Sequence, residues 1–229
     1  GLGDVYKRQT DNMAKGPAMS REEAVKAIEV GISMVADLKE KGYNVLATGE
    51  MGIGNTTTSS AVCSVLLDQS VEKVTGKGAG LTNKDLEHKI EVIRQSIALN
   101  KVNADDPLDV LAKVGGLDIA GMAGCYIGGA ALNIPVFIDG FISSVAALIA
   151  IRLVPECAPY LFPSHCSNEP AGRMILDAIG KQPYIFANMC LGEGTGAVMG
   201  FTIADYAFKA YWELPSFEQT NFGTYEELN

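Results

Sequence analysis

A chain of 229 residues, 48% of them hydrophobic, is long enough to bury a substantial core without disulfides or a structural metal, and its five cysteines, widely spaced and without a CxxC pair, read as free thiols. A formal charge of −9 leaves no basic face for duplex nucleic acid, and two histidines are too few for a histidine-rich metal centre. The longest apolar run, 141–151, is too short and too broken by serine to span a bilayer, so a cytoplasmic protein with neither membrane nor nucleic-acid partner is the expectation.

Residues 1–9 (GLGDVYKRQ) show no periodicity and are set aside as a non-native or disordered tail; 10–229 read as one domain. Ser20 with Glu23 forms a capping box, and Ala24, Ile28, Ile32 and Val35 recur on one face of a helix that stops near Gly42. A short apolar run at 43–47 reads as a buried strand. A glycine-rich loop follows at 48–55, then a helix to about Leu67. Gly76, Gly78 and Gly80 mark 71–81 as a loop. Thr82 with Asp85 caps the next helix, whose buried face is Leu86, Ile90, Ile93 and Ile97. A short helix at 107–114 ends at Gly115-Gly116, and 118–132, rich in alanine, glycine and methionine, reads as a helix packed very closely on its neighbours. A second buried strand, 134–138, ends at Asp139-Gly140 and leads into a helix to about Leu153. Residues 155–163 read as irregular. Ser167 or Asn168 caps a helix ending near Gly180. A third strand, 184–188, runs into a glycine-rich loop at 191–196 and a helix to about Trp212, and the polar tail from Pro215 is loosely held.

Three times an apolar strand enters a glycine-containing turn and then a helix. That order predicts an α/β fold, a parallel sheet with helices on both faces. Ligands of such sheets bind beyond the carboxyl ends of the strands, so the loops at Gly49, Asp139 and Gly192 should converge on one site.

The first loop, Gly49 to Thr57, places three glycines at spacings of three and two ahead of a helix N-terminus, where free N–H groups favour an anion. It resembles a Walker A loop, but Asn55 stands where the lysine would be, which suits a single phosphate better than a triphosphate. Asn55, Thr56 and Thr57 add side-chain donors. Glu50 is out of place beside a phosphate and would face a ribose hydroxyl or a cation, or only bond nearby loop N–H groups. Glu193, with a glycine on either side, either faces a ligand directly or merely offsets the dipole of the helix it opens. Asp139, at a strand end, can hold a ribose hydroxyl or order adjacent loops. The polar run 164–170 is a second anion or hydroxyl contact, or a capping loop; Lys89 and His88 read by themselves as helix surface residues.

Taken together, GEMGIGNTT (49–57), GGLDIAGM (115–122), IPVFIDGFIS (134–143), SHCSNEP (164–170) and LGEGTGA (191–197) resemble the nicotinate-nucleotide–dimethylbenzimidazole phosphoribosyltransferase family, CobT, from about Thr10 almost to the end of the chain. The resemblance implies a Rossmann-like sheet plus a smaller helical portion. Family members are longer at the N-terminus, so that portion and the acceptor pocket are expected to be incomplete here. It implies Glu193 as catalytic base. Glu50, Gly52, Ile53, Gly54, Asn55 and Thr56 are expected to hold the nucleotide, Lys89 to contact its phosphate, and Asp139, Ser164, Gly192 and Gly194 to complete the site. The substrates implied are nicotinate mononucleotide and a benzimidazole base, the assembly a homodimer, and no metal or redox cofactor is called for.

Overall fold

The structure, a computed structural model, describes residues 9–220. The expected tail lies outside them except for Gln9, which is exposed.

Helix α1 (Arg21–Glu40) begins at the anticipated box: the Ser20 hydroxyl accepts the Glu23 N–H at 3.1 Å, and the Glu23 carboxylate accepts the Ser20 N–H at 2.8 Å. It buries Ala24, Ile28, Gly31 and Val35. Then come β1 (Leu46–Ala47), α2 (Thr56–Leu66), a single turn α3 (Val71–Val74), α4 (Asn83–Asn100) and α5 (Pro107–Val114). Helix α6 (Leu117–Ala131) precedes β2 (Val136–Ile138) and α7 (Phe141–Leu153). A 3-10 segment, Pro155–Tyr160, leads to β3 (Leu161–Pro163), and α8 (Gly172–Ala178), α9 (Thr195–Glu213) and α10 (Phe217–Thr220) complete the described chain.

The sheet is parallel, in the order β1-β2-β3, with Val136 opposite Leu46 on one side and Leu161 on the other. Because side chains alternate along a strand, β2 serves two layers. Val136 and Ile138 enter the main core with α6 and α7. Phe137 points the other way, stacks on Phe162 and meets Phe201 of α9 edge-on. Helices therefore cover both faces, as the strand–turn–helix order implies. Among the described residues, no helix is long and apolar enough to cross a membrane.

The small residues of α6 have a steric reason. A Cβ at Gly124 would stand 2.0 Å from the Ile28 carbonyl oxygen, and one at Gly31 would stand 2.0 Å from that of Gly121. The backbones of α1 and α6 are in contact, and neither helix can yield without moving the other. Gly124→Ala is expected to destabilise by about 1–3 kcal/mol even after alanine's better helix propensity is counted. Gly121→Ala, whose Cβ would meet only the Ala27 oxygen at 4.0 Å, should be neutral or slightly stabilising. Urea melts of the two variants check this, and equal midpoints would refute it.

Six local readings change. The first strand is only Leu46–Ala47, at the edge of the sheet, with Tyr43 and Val45 exposed rather than buried, and Val71–Val74, inside the stretch read as a loop, forms one helical turn. The third strand is not 184–188, which contributes only a single parallel bridge, Ile185 to His165; Pro183 precedes it without an N–H, and Asn188 turns left-handed at φ 51°. The strand is instead Leu161–Pro163, inside a proline-rich stretch that reads as irregular because the strand is only three residues long and itself ends on proline. Helix α8 starts later than Ser167 or Asn168 allow, and the Ser167 hydroxyl accepts the Glu169 N–H at 3.3 Å to close a turn. Finally, the fully buried stripe of α4 is Lys89, Ile93, Ser96 and Asn100, with Leu86, Ile90 and Ile97 only half-buried beside it.

Candidate active site

Asp139 is the hub of the strand-end loops. It follows β2 directly and is 1% exposed. Its Oδ2 accepts the Gly194 N–H at 2.9 Å, and its Oδ1 accepts the N–H groups of Gly196 at 2.8 Å and Ala197 at 3.2 Å. One carboxylate thus answers the N-terminal donors of α9 and fixes the loop before it. The first loop joins the same knot: the Glu193 N–H donates to the Glu50 carbonyl at 2.9 Å, and a Cβ on Gly49 would fall 2.4 Å from the Gly194 nitrogen. The three loops converge as expected, although the third, 191–196, follows the single bridge at Ile185 and not a strand.

At the centre of this knot, Gly192, Glu193 and Gly194 have φ of 77°, 58° and 82°. A left-handed conformation is easy for the glycines but costs a glutamate about 1–2 kcal/mol. That strain is tolerated because Asp139 and Glu50 hold the residues around it, and its effect is to set an exposed carboxylate on the rim of a cavity.

The cavity has a volume of about 450 Å³. Of the residues expected at a ligand, Glu50, Gly52, Ile53, Thr56, Asp139, Gly192 and Glu193 line it. The others sit behind it. Gly54 shapes the turn at φ 85°, and Gly194 packs beneath the rim. Asn55 does not cap α2 with its side chain; its amide donates to Asp118 at 2.8 Å. Ser164 is fully buried, and its hydroxyl donates to the Ile138 carbonyl at 2.7 Å, so it ties β3 to β2 and is spent within the fold. Lys89 lies under one end of the cavity, not on a solvated surface. Its ammonium donates to Thr56 Oγ1 at 2.9 Å and to the Gly76 carbonyl at 3.1 Å. Burial pushes its pKa down, and the Glu169 carboxylate pushes it back up.

Residues not singled out from sequence also line the cavity: Gly78, Ser143, His165, Ser167 and Glu169. The polar run 164–170 was the signal for the last three, but it did not show that His165, Ser167 and Glu169 rather than Ser164 face inward.

Burial raises the Glu50 carboxyl pKa, and the Asp118 carboxylate raises it further, against the N–H groups of Met51 and Gly52 and the Asn55 amide. A folded-state pKa above the unfolded one means that the protonated form is favoured by folding: the contribution is present at low pH and lost as pH rises through the folded value. Glu50→Gln is therefore expected to raise Tm above wild type at about pH 8 and to leave it near wild type at about pH 3, below the ordinary glutamate range. Scanning calorimetry at the two pH values reads this, and an equal shift at both would refute the linkage.

A parallel α/β sheet with a glycine-rimmed cavity beyond its strand ends, carboxylates on the rim and a buried lysine below defines an α/β domain with a ligand site at the carboxyl edge of its sheet. Residues 3–222 match a family model described as phosphoribosyltransferase, and the chain belongs to that family. It is similar to proteins named nicotinate-nucleotide–dimethylbenzimidazole phosphoribosyltransferase: 54% identical over 222 residues to one from Ruminiclostridium cellulolyticum and 51% over 220 residues to one from Acetivibrio thermocellus, covering 97% and 96% of this chain. The chain spans 63% of the length of these curated relatives. The crystal structure of CobT from Thermus thermophilus superposes with a TM-score of 0.88 at 34% identity, over 93% of this chain and 64% of that one.

Proposed function

We propose that the chain transfers the phosphoribosyl group of nicotinate mononucleotide to 5,6-dimethylbenzimidazole, giving α-ribazole 5′-phosphate and nicotinate. The observation that carries the reading is Glu193, a carboxylate held in a strained backbone at the rim of the cavity and hydrogen-bonded through its N–H to the residue that bears the second carboxylate, Glu50. The names borne by the relatives supply the substrates.

The chemistry asks for little else. One acceptor nitrogen attacks C1′ from the face opposite nicotinate, the C1′–N bond breaks, and its electron pair returns to the pyridine nitrogen. Nicotinate leaves with a neutral ring nitrogen and needs no general acid. The acceptor's other nitrogen gives its proton to Glu193. Positive charge developing at C1′ in the transition state is answered by Glu50. The ammonium of Lys89, with Thr56 and the loop at Gly78, forms the end of the site suited to the phosphate. Displacement from the opposite face inverts the anomeric centre and accounts for an α product. A cytoplasmic homodimer completes the proposal, supported by the exposed apolar side chains of Ile203, Tyr206, Phe208, Tyr211 and Trp212 along α9.

The test is product formation from nicotinate mononucleotide with a panel of bases. α-Ribazole phosphate from dimethylbenzimidazole, in preference to purines, is the expected result. Preferred use of a purine, or nucleotide binding with no product from any base, would overturn it.

A further inference from the structure

His165 belongs to the cavity wall yet has no part in the transfer chemistry above. It is 2% exposed, lines the cavity beside Gly140, and is held tightly: a Cβ on Gly196 would stand 1.9 Å from its Nδ1. Its tautomer follows from the neighbouring hydroxyl. Ser164 Oγ lies 2.7 Å from the Ile138 carbonyl and 3.1 Å from His165 Nδ1. A hydroxyl has one proton, and the shorter contact, to an oxygen that can only accept, takes it. Ser164 Oγ therefore accepts from Nδ1–H, and Asp139 Oδ1, 4.0 Å from the same nitrogen, also favours a proton there. Burial lowers the ring's pKa, against the Asp139 carboxylate, and favours the neutral form. The lone pair is then on Nε2. That edge is left open by Gly140, where even a Cβ would stand 3.7 Å from Nε2 and Cε1.

An acceptor at a cavity wall calls for a donor on the ligand. Nicotinate mononucleotide has no N–H on its base, and its ionised phosphate accepts hydrogen bonds. Its ribose hydroxyls are its donors. Resting on the transferase reading above, we propose that His165 Nε2 accepts a hydrogen bond from a ribose hydroxyl and makes the site selective for the intact sugar.

Calorimetric titration with nicotinate mononucleotide and its 2′-deoxy and 3′-deoxy analogues tests this in wild type and in His165→Asn, whose amide can still donate to Ser164 but does not reach the Nε2 position. Wild type should lose roughly five- to tenfold in affinity for one analogue, the worth of one hydrogen bond. His165→Asn should already bind the intact nucleotide that much more weakly and show no further loss with that analogue. Losses that multiply for both analogues, or wild-type affinity in His165→Asn, would overturn the proposal. If the variant does not fold, nitrogen NMR of wild type decides: with two histidines in the chain the buried ring is readily assigned. Its Nε2 should be the unprotonated nitrogen and should shift on adding the intact nucleotide; a protonated Nε2 would sink the idea. Turnover measured on the same samples separates the two claims. Absent product with the affinity pattern intact removes the transferase reading alone, whereas product formation with multiplying losses removes only the role of His165.

Discussion

Asp139→Ala is expected to destabilise the protein by roughly 3–5 kcal/mol and to abolish turnover. The carboxylate is buried and accepts three backbone N–H groups, from Gly194, Gly196 and Ala197. A hydrogen bond to a charged acceptor contributes about 1.5–3 kcal/mol, and three bonds sharing one acceptor add less than in full. Alanine leaves the donors without a partner in a place water reaches poorly. The strained Glu193 backbone also loses its anchor, so the loop is expected to relax and carry the carboxylate off the rim. Asp139→Asn separates the two effects. Its single carbonyl oxygen can still serve Gly196 and Ala197, but its amide then opposes the Gly194 N–H. Stability should fall by only about 1–2 kcal/mol, while kcat falls far more than a change of that size in folding explains. Urea melts and steady-state rates on the two variants check this. An Asp139→Ala protein within about 1 kcal/mol of wild type would show that the three bonds do not hold the loop.

The convergence of the loops was legible because strand–turn–helix order dictates a parallel sheet and its ligand edge, and the helix signals at Ser20 and Thr82 hold because an N-cap is a local interaction. What sequence could not carry was non-local. β3 is three residues ending on a proline, and its pairing with β2 is decided by register rather than by hydrophobic run length. Lys89 reads as solvated from its helix alone; it is buried because Thr56 and Gly76, distant in sequence, present oxygens to its ammonium. Ser164 and Ser167 look alike in a polar run, yet one is buried with its hydroxyl donating to the β2 carbonyl and the other lines the cavity. Asn55 reads as a donor for the ligand, and its amide instead bridges to Asp118.

Glu193→Gln is expected to lower kcat by roughly a hundred- to ten-thousand-fold and to leave the affinity for nicotinate mononucleotide nearly unchanged. The amide has the size of the carboxylate and keeps the same backbone bond to Glu50, so the loop geometry is preserved. It cannot take the acceptor's proton. The loss therefore falls on the chemical step and leaves donor binding, which depends on the other end of the cavity. Glu50→Gln should show the converse pattern, weaker donor binding or a smaller fall in kcat, because charge near the sugar is removed while the base stays in place. Measuring kcat by product formation and donor affinity by calorimetry on both variants distinguishes the roles. Near-normal kcat in Glu193→Gln would mean that the exposed carboxylate only offsets the dipole of α9, and that the strain at φ 58° serves the turn and not the reaction.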